Sequence, residues 1–406
     1  MGSRTQAPAF RVVISGYYGF RNSGDEAVLK SILTALEAEA AAAGIAIRPV
    51  VLSADPAWTS AMYGVESAHR MQPGELLKAI RGCDGLISGG GSLLQDATGA
   101  GSIPYYTGIV KLAQWLGKPT FVYAQGIGPV NRGWMGPLIR SAMTRSVYVS
   151  VRDEGSAALL RRLGVKGRID VVPDPVMGLP LPAADVAEVG AGSGAGSAAA
   201  GVTPGAGAAA GADARGRSGV PVLGVALRRW RSDGADLGRA AEALAALAKR
   251  RAVRLRFLPF HTPDDAEASS VVMERLGALG VGAGTMELAQ PGDDPQRMLL
   301  EVSRCDAMFG MRLHALIYAA NREVPMLGLS YDPKIDSFLQ RLGLEPVGST
   351  EALDARAFAD AAEALLAEGG AAAWRSRHGA AIAALKEEAH RPAAFIADTL
   401  RSKTKR

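Results

Sequence analysis

The chain has 406 residues, 48% of them apolar and 21% charged, which is a folded protein too long for one ordinary core; two or three domains are expected. Its 45 Lys and Arg against 40 Asp and Glu leave a net charge of +5, suited to an anionic small molecule or a loose membrane-surface contact. That charge is diffuse and no basic run carries interleaved aromatics, so a nucleic-acid partner is excluded.

Two cysteines, Cys83 and Cys305, read as buried thiols rather than a disulfide framework or a zinc pattern, and no clustered ligands suggest a metal. Met1 to Phe10 lacks the apolar core of a signal peptide, and no apolar run reaches the roughly 18 residues of a membrane span. These features point to a cytoplasmic protein.

Strands and helices alternate along the first half. Arg11 to Ser15 is a strand, Asp25 to Ala40 an amphipathic helix, Ile47 to Leu52 a strand, Gly74 to Arg81 a helix and Gly85 to Ser88 a buried strand. Tyr106 to Leu116 (helix), Thr120 to Ala124 (strand), Trp134 to Arg145 (helix) and Ser146 to Val151 (strand) follow. Continuous apolar strands between helices predict a parallel sheet covered on both faces. Trp134 to Arg145 is basic and apolar enough to touch a membrane surface, but reads better as a buried amphipathic helix.

From about Ala183 to Ser218 the chain is almost only Ala, Gly, Ser, Val and Pro, with little apolar side-chain surface to bury; a flexible linker or insertion is expected over 183–218. Alternation resumes with strand Val222 to Leu227, helix Leu237 to Lys249, strand Leu255 to Pro259 and helices Ala266 to Leu279 and Pro295 to Ser303. Strand Ala307 to Phe309, a helix from Arg312, strand Met326 to Leu329, a helix from Ile335 and long helices between Leu353 and Leu400 complete it. The predicted division is therefore 1–182, 183–218 and 219–406. The halves echo each other: Arg81-Gly-Cys83-Asp84 before one apolar strand matches Arg304-Cys305-Asp306 before another. This predicts an α/β protein of two Rossmann-like domains facing each other across a cleft.

Polar clusters sit at the carboxyl ends of these strands, where doubly wound sheets bind ligands. After the first strand comes Gly16-Tyr-Tyr-Gly19-Phe-Arg-Asn22-Ser23-Gly24-Asp25-Glu26, in which Asn22 and Ser23 can cap a helix and offer hydrogen bonds. Asp25 is either a cap or a group that meets substrate hydroxyls or acts as a base. Ser88-Gly89-Gly90-Gly91-Ser92 reads as a backbone nest for an anion or as a tight turn. Gln125 and Arg152 end two further strands, Arg152 pointing into the crevice or pairing with a neighbouring carboxylate. In the second half, Arg228-Arg229, His261, Arg312-Leu313-His314 and Lys334 end four strands in turn. Arg312 and His314 open a helix, whose exposed backbone N–H groups attract anions; a surface arginine and a packed histidine is the alternative. The positive groups converge where an anionic small molecule would sit.

The segments GYYGFRNSGDEA, SGGGSLLQD, YAQGIGP, SVRDE, GMRLHALIYAA and SYDPKI together resemble the polysaccharide pyruvyl transferase family. The match covers both halves and skips the Ala/Gly-rich segment, which is longer than the family leads one to expect. The resemblance implies a two-domain fold like that of GT-B glycosyltransferases. It implies transfer of an enolpyruvyl group from phosphoenolpyruvate to a sugar, giving a pyruvate ketal across two hydroxyls, typically O4 and O6 of N-acetylmannosamine. The acceptor would be a lipid-linked cell-wall precursor made at the inner face of the cell membrane, and the ketal would help to anchor surface-layer proteins.

By the same resemblance Arg312, with Leu313 beside it, takes the donor's anionic groups, Arg228 or Arg229 is a second arginine, and Lys334 a third cation. His314 is the acid, Asp25 serves the acceptor hydroxyl, and Arg152 binds donor or acceptor. No cofactor beyond the donor is implied, and the oligomeric state is left open. The rivals are a nucleotide-sugar glycosyltransferase on the same fold and a non-catalytic sugar-binding protein.

Overall fold

The structure, a computed structural model, describes residues 7–97, 99–182 and 219–403, so the segment 183–218 read as a linker lies outside the described residues. The first sheet contains β1 (Ala9–Ser15), β2 (Ala46–Ser53), β3 (Glu66–His69), β4 (Gly85–Ser88), β5 (Gly91–Leu94), β6 (Thr120–Ile127), β7 (Tyr148–Val151) and β8 (Asp170–Val171). All pairings are parallel, in the order β3-β2-β1-β4-β6-β7-β8, with β5 also pairing β6. Helices α1 (Ser23–Ala42), α2 (Pro56–Tyr63), α3 (Pro73–Arg81), α4 (Ser102–Trp115), α5 (Met135–Thr144) and α6 (Glu154–Arg162) connect them. A short 3-10 turn, Pro175–Gly178, closes this domain.

The second sheet has β9 (Val222–Ala226), β10 (Arg254–Phe257), β11 (Met286–Leu288), β12 (Ala307–Gly310), β13 (Met326–Ser330) and β14 (Gly348–Ser349), in the order β11-β10-β9-β12-β13-β14. Its helices are α7 (Ala235–Arg250), α8 (Asp264–Ala278), α9 (Pro295–Ser303), α10 (Leu313–Asn321), α11 (Pro333–Arg341), α12 (Ala355–Leu366), α13 (Gly370–Glu388) and α14 (Arg391–Lys403). Both sheets reverse strand order beside their first strand, the switch point that opens a ligand crevice in doubly wound folds. The two Rossmann-like domains face each other across that crevice.

The repeated Cys-Asp pair has one structural job in both halves. Asp84 Oδ2 accepts from Arg11 N at 2.8 Å and Asp306 Oδ2 accepts from Val222 N at 2.7 Å, each closing the first turn of a ladder beside the central strand. The preceding cysteines are buried, and burial pushes both thiols up, Cys305 to about 12.

The domains share a core. Val28 and Ile32 of α1 belong to one apolar cluster with Met298 and Leu299 of α9 and Tyr318 of α10. Asn321, buried at the end of α10, donates from Nδ2 to the carbonyls of Val176, Met177 and Leu179 at 2.9, 3.0 and 3.0 Å. The two N–H groups of one amide are thus shared among three carbonyls in and just after the closing turn. The sequence reading placed the terminal helices with the second half, but α14 returns to pack on α1 and β6 of the first, with Lys403 Nζ donating to Asp84 O at 2.9 Å.

Seven short elements carry no pattern that the sequence announces: α2, β3, β5, α6, β8, β11 and β14. Each is eight or nine residues at most, and α6 (EGSAALLRR) carries too few large apolar residues to announce a period. The glycine run joins two strands, Gly89 and Gly90 making the turn between β4 and β5. Gly91 starts strand β5, which pairs with Gln125 of β6.

Candidate active site

The site is assembled where β12 gives way to α10. Ala307–Gly310 is a fully buried apolar strand, and Met311 stays buried behind it. Arg312 takes an extended backbone (φ −88°, ψ 125°) as the cap residue of α10, which corrects the expectation of a helix running from Arg312. Leu313 and His314 are the first two helical residues, so both face the crevice with α10's free N–H groups.

Arg312 is held by a carboxylate of its own domain. Its Nε donates to Asp265 Oδ2 at 2.9 Å and its Nη2 to Asp265 Oδ1, a fork-to-fork pair with a carboxylate whose side chain is 1% exposed. Asp265 also accepts from the backbone N–H groups of Phe260 and His261 at 3.2 and 2.9 Å, so it locks the loop after β10 against Arg312. Among the described residues, Nη1 of Arg312 makes no hydrogen bond.

A cavity of about 170 Å³ lies in front of this pair, lined by Asn22 and Gly24 of the first domain and by Arg228, Phe260, His261, Arg312, Leu313, His314, Tyr331, Asp332, Lys334 and Ile335 of the second. Arg228 lies across the rings of Trp230 and Tyr331, 5.2 and 5.3 Å from their centroids, and its Nη1 donates to the Tyr331 hydroxyl at 3.0 Å. Its Nε is buried and, among the described residues, has no hydrogen-bond partner. Arg229 is exposed and does not line the cavity, whereas Arg228 does. Lys334 follows the α11 cap Asp332, whose Oδ1 accepts from Lys334 N at 2.9 Å. Burial, then the charge of Arg152, lowers the Lys334 ammonium from its usual range. His261 lies at the rim, its Nδ1 3.5 Å from Asp264.

On the first-domain side, Arg152 is buried and tied in place. Its Nη2 donates to Ser92 Oγ at 2.7 Å and its Nη1 pairs with Asp174 at 3.4 Å. The sequence expectation of Ser92 as a ligand contact is therefore replaced by a hold on Arg152. Gln125 is fully buried and donates from Nε2 to Ser88 Oγ at 2.8 Å and Gly89 O at 3.0 Å; it holds the glycine run rather than reaching the crevice. Gly90 packs on Val28 and Pro175, whereas Gly91, at φ +90°, faces Asp25. Asn22 caps α1, its Oδ1 accepting from Gly24 N at 3.1 Å, and Ser23 lies beside the Tyr318 hydroxyl.

Asp174 escaped the sequence reading and is central here. Its Oδ2 is 3.4 Å from Arg152 Nη1 and 3.9 Å from His314 Nε2, and its Oδ1 caps the 3-10 turn through Val176 N at 3.1 Å. The signal was present as Val171-Val172-Pro173-Asp174-Pro175, one more polar residue just past an apolar strand, but the strand itself is only two residues long.

Burial lowers the His314 imidazole below its ordinary value; Asp174 opposes this, and Arg152 and Arg312 reinforce it. Among the described residues its Nε2 has no hydrogen-bond partner. Asp25 is pushed the other way, up to about 7, by burial and then by Glu26 and Asp174 against the pull of Arg152. The free protein thus holds a neutral imidazole and a half-protonated carboxyl at neutral pH, two titrating groups brought to one crevice from two domains.

A sequence profile described as polysaccharide pyruvyl transferase matches residues 22–333, 312 of the 406 residues. The chain belongs to the polysaccharide pyruvyl transferase family. Its membership makes it a transferase, and the matched span takes in every residue of the cavity except Lys334 and Ile335. No curated protein sequence matches the chain.

Among solved structures, a glycosyltransferase from Rickettsia africae is 11% identical and superposes with a TM-score of 0.61 over 97% of this chain and 98% of that one. A UDP-GlcNAc 2-epimerase from Neisseria meningitidis, bound to UDP-GlcNAc, is 10% identical at a TM-score of 0.59, over 96% and 99% of the two chains. An Anabaena protein in complex with UDP and glucose is 11% identical at a TM-score of 0.56, over 97% and 100%. The shared feature is the GT-B arrangement of two Rossmann-like domains. No helix among the described residues is long and apolar enough to cross a membrane.

Proposed function

We propose that the chain transfers the enolpyruvyl group of phosphoenolpyruvate to two hydroxyls of one saccharide unit, forming a cyclic pyruvate ketal and releasing phosphate. The observation that carries this reading is the cavity at the domain junction, where Arg228, Arg312, His261 and Lys334 surround a space that also holds His314. Phosphoenolpyruvate carries a phosphate and a carboxylate, and both call for charge-assisted donors. The cavity's 170 Å³ is below the roughly 300–1,000 Å³ of sites for larger ligands, which favours a compact donor over a nucleotide sugar.

In the proposed reaction one acceptor hydroxyl adds to C2 of the donor while C3 takes a proton and becomes a methyl group. The hydroxyl's own proton leaves to a base. The C2–O bond to phosphate then breaks, and the second hydroxyl closes on C2 with loss of its proton. Phosphate departs with the bond's electron pair, so atoms and charge balance without an external reductant or oxidant. His314, on the donor side, supplies the proton to C3. Asp25, on the first-domain side, takes the hydroxyl proton.

These roles require a change of protonation. Burial and two nearby positive groups, Arg152 and Arg312, favour neutral His314 in the free protein; an arriving anion cancels that field and draws a proton onto the imidazole. Asp174, 3.9 Å from Nε2, stabilises the imidazolium once formed.

The finer reading, carried by the sequence motifs, has N-acetylmannosamine of a lipid-linked cell-wall precursor as acceptor, with the work done on the inner face of the cell membrane and the product serving surface-layer anchoring. Titration calorimetry tests the donor: phosphoenolpyruvate should bind, with proton uptake, and UDP-N-acetylglucosamine should not. Binding of the nucleotide sugar alone would shift the conclusion to a glycosyltransferase.

A further inference from the structure

The positive excess of the chain is confined to one layer of the first domain. From the start of α3 at Pro73 to Arg168 there are 12 Lys and Arg against 5 Asp and Glu, a net +7, whereas the rest of the chain has 33 against 35. The helices of this stretch, α3 to α6, cover one face of the first sheet. Ile80 of α3 and Val110 of α4 share a buried cluster with Val13 and Leu86 there, and Ile139 of α5 and Leu160 of α6 share another with Val122 and Val151. The opposite face, with Val12, Ile14 and Phe121, belongs to the core that joins the two domains.

Lys78 and Arg81 in the last turn of α3, Arg140 and Arg145 on α5 and at its end, and Arg161 and Arg162 in the last turn of α6 are all exposed, and among the described residues none is in an ion pair. The acids of the layer are used inside the fold. Glu75, Asp84, Asp96 and Asp153 accept from the backbone N–H groups of His69, Arg11, Asn131 and Ser156 at 2.7, 2.8, 2.8 and 2.6 Å. Each helix carboxyl end holds only about half a unit of negative charge, so compensating the dipoles needs fewer cations than the layer carries. Two indoles stand out at its opposite ends. Trp115, the last residue of α4, is 72% exposed; Trp134, the cap residue of α5 at the sheet edge where the crevice opens, is 56% exposed.

We infer that the outer side of the α3–α6 layer docks on an anionic phospholipid surface. The negative potential of such a surface draws Lys and Arg, and indoles settle at its boundary between head groups and acyl chains. The helix α5 divides its faces accordingly: Met135, Ile139 and Met143 are buried against the sheet, while Trp134, Arg140 and Arg145 are exposed. Two separate indoles, with no run of rings between the cations on which bases would stack, favour lipid over nucleic acid. Docked on this side, the strands of the first domain lie along the membrane and the crevice opens at its surface, within reach of a saccharide carried on a lipid. The inference supplies the membrane side of the proposed function but stands on charge and exposure, not on pyruvyl transfer.

The test is co-sedimentation of the full chain with phosphatidylcholine vesicles, pure or mixed with phosphatidylglycerol. The wild type should pellet with the anionic vesicles, not with the neutral ones, and should come off as salt is raised. Lys78→Gln/Arg81→Gln/Arg140→Gln/Arg145→Gln should weaken binding by about tenfold or more, whereas neutralising four exposed cations of the second domain, Lys249→Gln/Arg297→Gln/Arg356→Gln/Arg377→Gln, should change it by less than about twofold. Trp115→Ala/Trp134→Ala should weaken it and leave its salt dependence as it was. Circular dichroism checks each fold, and transfer to a water-soluble disaccharide should be the same in all. No pelleting of the wild type, equal pelleting with neutral vesicles, equal losses in the two four-site variants, or a preference for single-stranded RNA over the anionic vesicles would overturn the docking face. Docking without transfer from phosphoenolpyruvate would instead sink the pyruvyl-transfer reading and leave the face standing; transfer without docking would do the reverse.

Discussion

Gly24 leaves the space in which the His314 ring stands: a Cβ built on Gly24 would lie 2.4 Å from Nδ1. One residue opens the first helix of the first domain, and the other is in the first turn of α10 in the second. The imidazole is therefore wedged between domains, against helix backbone on one face and near Asp174 on its Nε2 side.

Gly24→Ala should therefore displace His314 and lower kcat by about 100-fold. Alanine is favoured over glycine inside a helix by about 1 kcal/mol, so the fold should survive. Steady-state kinetics with a thermal melt checks this. A normal kcat would show that the ring does not need that place.

Asp174→Asn removes the closer of the two carboxylates beside buried Arg152, leaving Asp153 at 3.9 Å from its Nε. Unfolding free energy should fall by about 3 kcal/mol, measured by urea denaturation. Asp174 is the group that raises the His314 value, so the histidine titration followed by NMR should move to still lower pH in the variant. A shift upward would contradict the charge arrangement.

The two adjacent arginines should separate cleanly. Arg228→Met removes a cavity donor and should raise KM for phosphoenolpyruvate by about tenfold or more, whereas exposed Arg229→Met should stay within twofold of the wild type. Equal effects would mean that the loop after β9 adopts another arrangement with donor bound.

Asp25 links the site to stability. Its folded value, about 7, lies above the ordinary 3.8, so the folded state binds the proton more tightly, and the stability this lends is complete below about 3.8 and lost as pH rises towards 7. Asp25→Asn should therefore melt higher than the wild type at pH 8, by a few degrees, and equally at pH 4. Activity should vanish in the same variant, and the wild-type kcat/KM for acceptor should climb through about pH 7 on its acidic side.

The architecture was largely legible in the sequence because its strands are buried on both faces and read as unbroken apolar runs such as Phe121-Val122-Tyr123. Polar residues just past those runs gave Arg228, His261, His314 and Lys334 around one cavity. Roles within the cluster were less legible because they depend on partners distant in the chain. Arg312 looks free until Asp265, 47 residues earlier, comes to meet it. Ser92 and Gln125 look like crevice donors until Arg152 and Ser88 claim them. Asp174 lay behind a strand too short to carry a pattern, and α14's return to the first domain leaves no mark in its own periodicity.

The measurement that tests the central claim most directly is phosphate release from phosphoenolpyruvate in the presence of a synthetic diphospho-lipid-like disaccharide carrying N-acetylmannosamine, with the sugar product weighed by mass spectrometry. The account predicts acceptor-dependent release and a mass gain on the sugar equal to one pyruvyl ketal, both lost in His314→Ala. Release that ignores the acceptor, or unimpaired turnover by His314→Ala, would contradict it.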